Sequence, residues 1–285
     1  MMQRLIRSSI FSAAVALWMP SSALAITYFA NCEQVCSGTC ELNGNVSCNT
    51  KMGITLTNGG DLDLKGYSIT CTADCPQSAI TMSGGSGNKV ENTGAAGAGI
   101  SGKFTYNVNC GNRPNSQVSD LKIENTKSSG GQGHGVLACK TVTNNVFIGH
   151  FTDGYGNGTA VLGNQDGGVI ADNYITNWGA GMYIGGSEDT TIERNVILIP
   201  EGAQSLFSVF GINLVGDGGD TYVSGNTFIG GGGTATSENY TFVITADGNT
   251  SATFKNNFCD PLYTCCQNCT DCANSSGPPT APLVY

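Results

Sequence analysis

One six-residue pattern recurs along the chain and restricts the folds that it can adopt. It places an asparagine between apolar residues, in the order apolar-x-x-Asn-x-apolar. Successive copies lie 22 to 31 residues apart, a spacing typical of stacked structural repeats. The central residues of the copies are Asn145, Asn173, Asn195, Asn226 and Asn257. The chain therefore repeats one supersecondary unit several times.

A second short strand pattern precedes each copy, as in Gly181-Met-Tyr-Ile and Gly211-Ile-Asn-Leu. Its residues alternate with the period of two that is expected for a β-strand. Short strands repeated in this way predict a β-solenoid, because one coil cannot bury its apolar face alone and stacked coils bury each other's. Strands of successive coils then pair in parallel.

The repeated asparagine has a structural role in such a stack. Its small polar side chain tolerates the backbone angles of a bend, and its amide can donate and accept hydrogen bonds together. Stacked in register, the five asparagines are expected to form an internal ladder. The alternative is a set of unrelated surface turns, which five copies in one frame disfavour. One coil earlier, Leu121 occupies the asparagine position of the same pattern.

The chain resembles the right-handed parallel β-helix of the pectin lyase-like superfamily, and most closely its secreted right-handed β-helix repeat proteins. The likeness rests on the repeat and on DLDLKGYSITC at positions 61–71, which is similar to the opening coil of that group. It covers residues 53–259 and implies an all-β, single-stranded right-handed parallel β-helix. It implies no single activity, since the superfamily contains lyases, hydrolases, epimerases and non-catalytic adhesins.

Residues 1–25 are typical of an export signal. Arg4 and Arg7 precede an apolar run over residues 10–19, and Ala23-Leu24-Ala25 supplies a small-x-small cleavage site. The apolar run is too short to span a bilayer. We therefore expect a secreted protein, in the extracellular space or a periplasm, with no membrane span.

All 13 cysteines lie beyond this signal, and an oxidising compartment predicts disulfides between them. The odd number leaves at least one thiol free or paired between chains. Residues 26–52 are expected to form a cysteine-rich N-terminal cap, and residues 260–285 a cysteine-rich tail. The spacing Cys266-x-x-Cys269-x-x-Cys272 would also suit a metal or iron–sulfur site, which an oxidising compartment disfavours.

The chain is acidic, with 12 basic residues against 21 acidic ones and a net charge of −9. This balance, without a basic run, argues against nucleic acid or an anionic membrane as partner. A polysaccharide or other glycan is the expected partner, and we expect a monomer. The acidic charge is also what keeps many secreted proteins soluble.

Acidic residues gather in the glycine-rich turns that follow the second strand pattern. Stacked coils would place them along one edge, where carboxylate oxygens could bind Ca²⁺. Asp-Gly pairs also form tight turns without any metal, so both interpretations stand. The calcium hypothesis concerns Asp166, Asp189, Asp217, Asp220 and Asp247.

The outward side chains of the second strand pattern are expected to form one column on the surface. This column is mostly apolar and offers neither an acid nor a base for catalysis. Aromatic side chains beside this column could stack on sugar rings, although some of them could only fill gaps under loops. Tyr155, Trp178 and Tyr183 are predicted to bind substrate, together with Asn213. The predicted column consists of Leu137, Val161, Tyr183, Asn213 and Val243.

Three titratable residues near this face are the candidates for catalysis. His134 lies in Gly-His-Gly, which is similar to one short motif of the polygalacturonases. The paired aspartates and the Arg-x-Lys motif that accompany it in that family are missing downstream. His150 and Asp153 lie three residues apart and could form an acid/base pair or hydrogen-bond within a loop.

Three hypotheses for the function follow. The first is recognition of a polysaccharide or glycan along one face of the solenoid, with no catalysis evident. The second is a polysaccharide lyase or glycoside hydrolase, in which His134, His150 or Asp153 would act as acid or base. The third is a rigid structural or adhesive surface protein. A uronate lyase would also need basic residues at its substrate, and residues 53–259 contain only two arginines, Arg113 and Arg194.

Overall fold

The alternating apolar residues of each repeat form strands, and the strands stack into three parallel sheets. The structure is a computed structural model, and no α-helix occurs among the residues that it describes. The all-β parallel β-helix that the repeat predicted is thereby confirmed. The described residues are 25–49, 52–73, 75, 77–127, 133–150, 158–199, 210–216, 220–230, 242–247, 252–259 and 264–267.

Each coil contributes strands in a fixed order to sheet 1, sheet 2 and sheet 3, and neighbouring strands pair in parallel throughout the described residues. Sheet 1 consists of Val35–Cys36, Ile54–Thr57, Ser78–Ser83, Tyr106–Asn109, His134–Thr143, Thr159–Ala171, Ala180–Gly185, Phe210–Val215, Phe242–Asp247 and Thr264–Gln267. Sheet 2 contains Thr27–Phe29, Thr39–Leu42, Asp61–Asp63, Lys89–Glu91, Gln117–Ser119, Thr191–Glu193, Tyr222–Ser224 and Thr253–Lys255. Sheet 3 consists of Val46–Ser47, Ile69–Cys71, Gly99–Gly102, Lys122–Asn125, Val146–Ile148, Tyr174–Thr176, Val196–Ile199, Thr227–Gly230 and Phe258–Cys259.

Two strands are long enough to run through the corner between sheets 1 and 2. The first residues of His134–Thr143 and Thr159–Ala171 pair within sheet 1, and their last residues pair within sheet 2. The pairing between these two strands shifts between Cys139 and Thr141. Such an irregularity redirects the side chains beside it, so this corner differs from the same corner in the other coils.

The core is a set of apolar stacks that run along the solenoid axis. In sheet 2, Val142 pairs with Ile170 and Ile170 with Ile192. In sheet 3, Phe147 pairs with Ile175. All five side chains are at most 1% exposed. Branched aliphatic side chains suit this position, since they pack well on a pleated surface that is covered from within.

The five repeat asparagines stack at the bend between sheet 2 and sheet 3, where each is at most 5% exposed. The Oδ1 of each of the last four accepts the backbone N–H of the asparagine one coil earlier at 3.0 Å, and Asn145 Oδ1 accepts that of Leu121 at 3.1 Å. Each Nδ2 donates at 2.9–3.0 Å to a sheet 2 carbonyl in the coil before. The amides also bond to one another at 2.9–3.0 Å, from Asn145 to Asn173, Asn195, Asn226 and Asn257 in turn. This asparagine ladder satisfies polar groups that would be costly to bury unpaired.

The bend at the ladder is made by a single residue in the left-handed backbone conformation. The residues with this conformation directly before the ladder positions are Asn144, Asp172, Arg194, Gly225 and Asn256. Arginine rarely adopts it, and Arg194 is held by its neighbour one coil earlier, since its guanidinium donates to both carboxylate oxygens of Asp172 at 2.8 and 2.7 Å.

Residues 26–49 contain one sheet 2 strand, Thr27–Phe29, followed by the first complete coil of the solenoid, which is in register with the body. Val35–Cys36, Thr39–Leu42 and Val46–Ser47 pair with the corresponding strands of the next coil. Disulfides Cys32–Cys48 and Cys36–Cys40 link residues within this first coil. Paired strands and two disulfides thus occupy the range in which the sequence predicts the N-terminal cap.

The body carries two further disulfides between described cysteines, Cys71–Cys75 and Cys110–Cys139, and the second joins two consecutive coils. The predicted disulfide bonding is therefore confirmed. Thr264–Gln267 pairs with Phe242–Asp247 in sheet 1, so the solenoid continues past residue 259, where the sequence predicted the tail. Cys269 and Cys272 of the alternative metal motif lie outside the described residues.

Across the described part of the chain, there is no helix with the length and hydropathy to cross a membrane. The expected export signal lies outside the described residues, except for Ala25.

The ladder predicts a large and local loss of stability when one amide is removed. Asn195 donates to the carbonyls of Ile170 and Glu193 and to Asn226, and it accepts from Asn173. Asn195→Ala leaves several of these groups buried and unpaired, so we expect it to lower the free energy of unfolding by about 4 kcal/mol. Guanidinium unfolding of the mature chain measures this loss.

The control for the ladder variant is Gln117→Ala, which removes an exposed amide on the outer face of sheet 2. Surface changes of this kind alter stability by less than about 0.5 kcal/mol. An Asn195→Ala protein as stable as the Gln117→Ala protein would contradict a stabilising ladder.

The disulfide between coils predicts an effect that depends on loop length. Cys110–Cys139 closes a separation of 29 residues and Cys36–Cys40 a separation of 4. By the chain-entropy relation, replacing both cysteines by alanine should cost about 3–4 kcal/mol for the first pair and about 2 kcal/mol for the second. Equal losses of unfolding free energy for the two double variants would refute this ranking.

Candidate functional site

The outer face of sheet 1 carries one row of outward side chains that runs from coil to coil. Leu137 pairs with Leu162, Leu162 with Tyr183, and Tyr183 with Asn213. On the next strand of sheet 1, the backbone of Thr245 pairs with Asn213. The row changes from aliphatic to aromatic and then to polar residues.

The column expected from the sequence was wrong at one of its five positions, Val161. Val161 pairs with Val136 and Met182 and is fully buried, and Leu162 takes its place in the outward row. Val243 lies two residues before Thr245, the residue whose backbone pairs with Asn213. The strands pair in a register that differs from the one expected from an alignment of their sequences. A shift of the register by an odd number of residues moves a side chain to the other face of the sheet.

Tyr183 presents an exposed aromatic ring at the centre of this face. Its side chain is 39% exposed, in contrast to Asn213 beside it, which is 7% exposed. A Cβ built on Gly185 would lie 3.6 Å from Tyr183 Cε1, so the edge of the ring lies beside Gly185. The ring therefore extends along its strand towards the corner between sheets 1 and 2.

A polar cleft opens at that corner, and Gly185 forms part of its wall. Its volume of about 490 Å³ lies within the range of roughly 300–1,000 Å³ that is typical of small-molecule sites. The polar residues that line the cleft are Asn112, Asn115, Lys140, Asn164, Gln165 and Asp166. An exposed aromatic ring and a cleft lined by amides thus adjoin on one surface.

Gln165 links the cleft wall to the two preceding coils through hydrogen bonds. Its Nε2 donates to the carbonyl of Arg113 at 2.9 Å, to the hydroxyl of Ser116 at 3.1 Å and to the carbonyl of Ala138 at 2.8 Å. Three partners from neighbouring segments hold this amide in one orientation. The wall is therefore formed before any ligand arrives, which lowers the entropic cost of binding.

Asp166 connects the cleft wall to the following coil. Its Oδ1 accepts the backbone N–H of Glu188 at 2.9 Å, and its own carbonyl accepts from the ammonium group of Lys140. The backbone N–H of Gly167 donates to the carbonyl of Glu188 at 2.6 Å. Asp166 thus serves as a hydrogen-bonding joint between three coils.

Sequence reasoning identified Tyr183 and Asp166 in this region but missed Lys140, Asn164 and Gln165. It placed Asn164-Gln165-Asp166 in a turn, whereas the strand Thr159–Ala171 runs through these residues. A usable signal was present in the glycines at 163 and 167, both of which have positive φ values. Glycines on both sides of a short polar segment in a strand are typical of a bulge.

Trp178 does not belong to this surface, which corrects its expected role as a sugar platform. Its side chain is 2% exposed and is part of the hydrophobic core. A Cβ on Gly149 would lie 2.9 Å from Trp178 Cγ, so the glycine makes room for the indole. The ring fills space in the interior beside sheet 3, where the burial of its large apolar area stabilises the fold. Tyr155 lies outside the described residues.

His134 supports the stacking of coils at the far end of the sheet 1 strands. Its ring stacks on Tyr106 with a centroid distance of 5.4 Å, and its Nδ1 accepts the backbone N–H of Thr159 at 3.0 Å. Burial, followed by the nearby charge of Lys127, lowers the pKa of His134 below its usual value. Accepting through Nδ1 also requires that nitrogen to be unprotonated, so the neutral ring is favoured.

His150 belongs to a charged group on the outer face of sheet 3. Its Nε2 lies 3.2 Å from Glu124 Oε1, and Lys122 Nζ lies 3.1 Å from Glu124 Oε2. Burial raises the pKa of Glu124, but the hydrogen bonds from His150 and Lys122 outweigh burial and lower it. Glu124 is therefore ionised at neutral pH and unsuited to donate a proton. Asp153, the expected partner of His150, lies outside the described residues.

The acidic residues of the calcium hypothesis are spread along the solenoid. Asp189 and Asp220 are exposed, and Asp166 is engaged by Lys140 and Glu188. Asp247 ends a sheet 1 strand, and Asp217 lies outside the described residues. Within the described stretches, no three His, Cys, Asp or Glu side chains gather in a group that could hold a metal ion.

Comparison of this chain with protein-family models, with curated protein sequences and with solved structures gave no match.

The environment of His134 predicts a pH dependence of stability. Its pKa is lowered in the folded state, so below the unfolded value of about 6.5 the unfolded chain binds more protons than the folded chain. The free energy of unfolding should therefore fall as the pH is lowered through this range. In His134→Asn, whose short amide can still accept from Thr159, we expect a flatter dependence between pH 7.5 and pH 5.5.

Urea unfolding of both proteins at several pH values tests this prediction. The carboxylates that also titrate are common to both chains, so the difference between the two curves isolates His134. Parallel curves would show that the ring is not held in its neutral form.

Proposed function

We propose that this chain is an exported parallel β-helix that recognises a polysaccharide or glycan along the outward row of sheet 1. The observation that carries the proposal is the Tyr183 ring, which is 39% exposed and lies beside the polar cleft through Gly185. Sugar rings offer an apolar face and polar edges, so an aromatic platform beside amide groups matches both.

The stacking of the coils favours an extended ligand. Row members such as Leu137, Leu162 and Tyr183 come from successive coils, which are spaced by about 4.8 Å. The row therefore forms a straight, rigid surface on which several units of one chain can lie. Rigid surfaces of this kind bind without a large loss of conformational entropy.

Export supports a role outside the cytoplasm. Four disulfides join described cysteines, and such bonds persist in oxidising compartments. Together with the export signal expected at residues 1–25, they favour the periplasm or the extracellular space, where polysaccharides are accessible. We propose membership of the pectin lyase-like superfamily on the basis of the parallel β-helix and its asparagine ladder, and a monomer as the working form.

Replacement of Tyr183 tests this function. Tyr183→Ala should weaken binding to an immobilised polysaccharide panel about tenfold or more, because the ring supplies the apolar contact. Tyr183→Phe should retain most of the affinity, since stacking needs the ring and not the hydroxyl. The matched control is Tyr222→Ala, which removes a similarly exposed ring, 36% exposed, from the outer face of sheet 2.

The same panel distinguishes binding from catalysis and from a purely structural role. Release of unsaturated or reducing ends from one polysaccharide would identify an enzyme, and the variants would then be compared by rate. Binding that Tyr183→Ala leaves unchanged would move the site away from sheet 1. The absence of binding to the entire panel would favour the structural or adhesive hypothesis.

A further inference from the structure

One buried amide in the corner cleft lacks the partners that such groups normally have. Asn164 lines the cleft and is only 7% exposed. Both of its side-chain atoms, Nδ2 and Oδ1, are buried and find no hydrogen-bond partner among the described residues. Most buried side-chain amides are paired, because leaving them unpaired destabilises the fold. An amide kept in this state is a candidate ligand contact.

The surrounding residues hold the Asn164 amide in place. A Cβ built on Gly168 would lie 2.4 Å from Asn164 Nδ2 and 2.6 Å from its Oδ1, so only glycine leaves room for the amide there. Gly168 has no positive φ that would require glycine for the backbone. The hydroxyl of Ser187 donates to the carbonyl of Asn164 at 3.0 Å, which fixes the backbone from the following coil. The amide is therefore positioned by its neighbours and not by hydrogen bonds of its own.

The charges of the cleft indicate the class of ligand. Its lining contains one basic residue, Lys140, and one acidic residue, Asp166, and the other polar residues are neutral amides. Glu188 and Asp189 are exposed on the adjoining turn and would repel an anion. A carboxylate-bearing sugar would therefore meet more negative than positive charge, whereas hydroxyl groups can both donate to and accept from an amide.

We infer that the corner cleft binds one uncharged sugar residue of the polysaccharide, and that the Asn164 side chain turns from Gly168 into the cleft to donate to one hydroxyl through Nδ2 and to accept from another through Oδ1. This inference rests on the proposed function, because the neighbouring sugar of the same chain stacks on Tyr183. Lys140 shapes the wall by donating from its ammonium group to the backbone carbonyl of Asp166, and the charges of the two side chains cancel in the cleft.

Calorimetric titration with defined oligosaccharides tests the inference on the mature chain. The probes are neutral hexasaccharides of β-1,4-linked glucose, mannose, xylose and N-acetylglucosamine, with an α-1,4-galacturonate hexasaccharide as the acidic probe. We expect a neutral probe to bind, the acidic probe to bind at least tenfold more weakly, and the affinity for the neutral probe to change less than twofold between low and high salt.

Two variants then locate the sugar in the cleft. Asn164→Ala should weaken binding of the neutral probe about tenfold, because two hydrogen bonds to hydroxyl groups are lost. Asn164→Leu, which keeps the approximate size of the side chain and removes both hydrogen-bonding atoms, should do the same, while Tyr183 stays intact. Gln117→Ala, which removes an exposed amide on sheet 2, is the control with unchanged affinity. Melting temperatures verify folding, and the probe and salt comparisons on the unaltered chain hold even when a variant does not fold.

The outcomes separate the inference from the function on which it rests. Binding that Tyr183→Ala weakens and Asn164→Ala leaves unchanged would overturn the cleft assignment and preserve the function of sheet 1. Preference for the galacturonate probe would overturn the neutral class of ligand. No binding of any probe, together with no binding to the polysaccharide panel, would overturn the proposed function itself.

Discussion

Hydrogen bonding from each coil to the next is the constraint on which the rest of this structure depends. The asparagine ladder makes the constraint stricter than backbone pairing alone, because an amide such as Asn173 bonds to Asn145 before it and to Asn195 after it. A slip of one residue would break these bonds and also turn the core stack of Val142, Ile170 and Ile192 outwards. The register of the coils from Asn145 to Asn257 is therefore set at one corner.

This difference between the corners of the solenoid explains where the candidate site lies. In the five coils of the ladder, a single left-handed residue makes the bend between sheets 2 and 3, so the connection there has the same length in each of these coils. At the corner between sheets 1 and 2 the connection changes from coil to coil, and two strands run straight through it. The extra residues there supply Asn164, Gln165 and Asp166, which line the cleft beside Tyr183. Variation in a solenoid thus accumulates where stacking tolerates it.

Part of this site could be predicted from the sequence. Tyr183 lies in a strand pattern with a clear period of two, so its place on the outer face of sheet 1 followed from alternation. Val161 was misplaced because the strands have unequal lengths, and only the observed pairing shows that Leu162 faces outwards. Trp178 was predicted to bind sugar since aromatic residues often do, but its burial depends on the space above Gly149, which no local pattern records.

The sequence by itself determined the coiled architecture. Periodic apolar residues and a repeated asparagine predict stacked coils, in which each coil buries the apolar face of the next. The ladder and the solenoid follow from interactions that recur at every repeat and so leave a periodic trace. The cleft was decided only in the tertiary structure. It arises from a single register shift between Cys139 and Thr141 and from contacts between residues of several coils, such as Gln165 with Arg113, which occur once and leave no periodic trace.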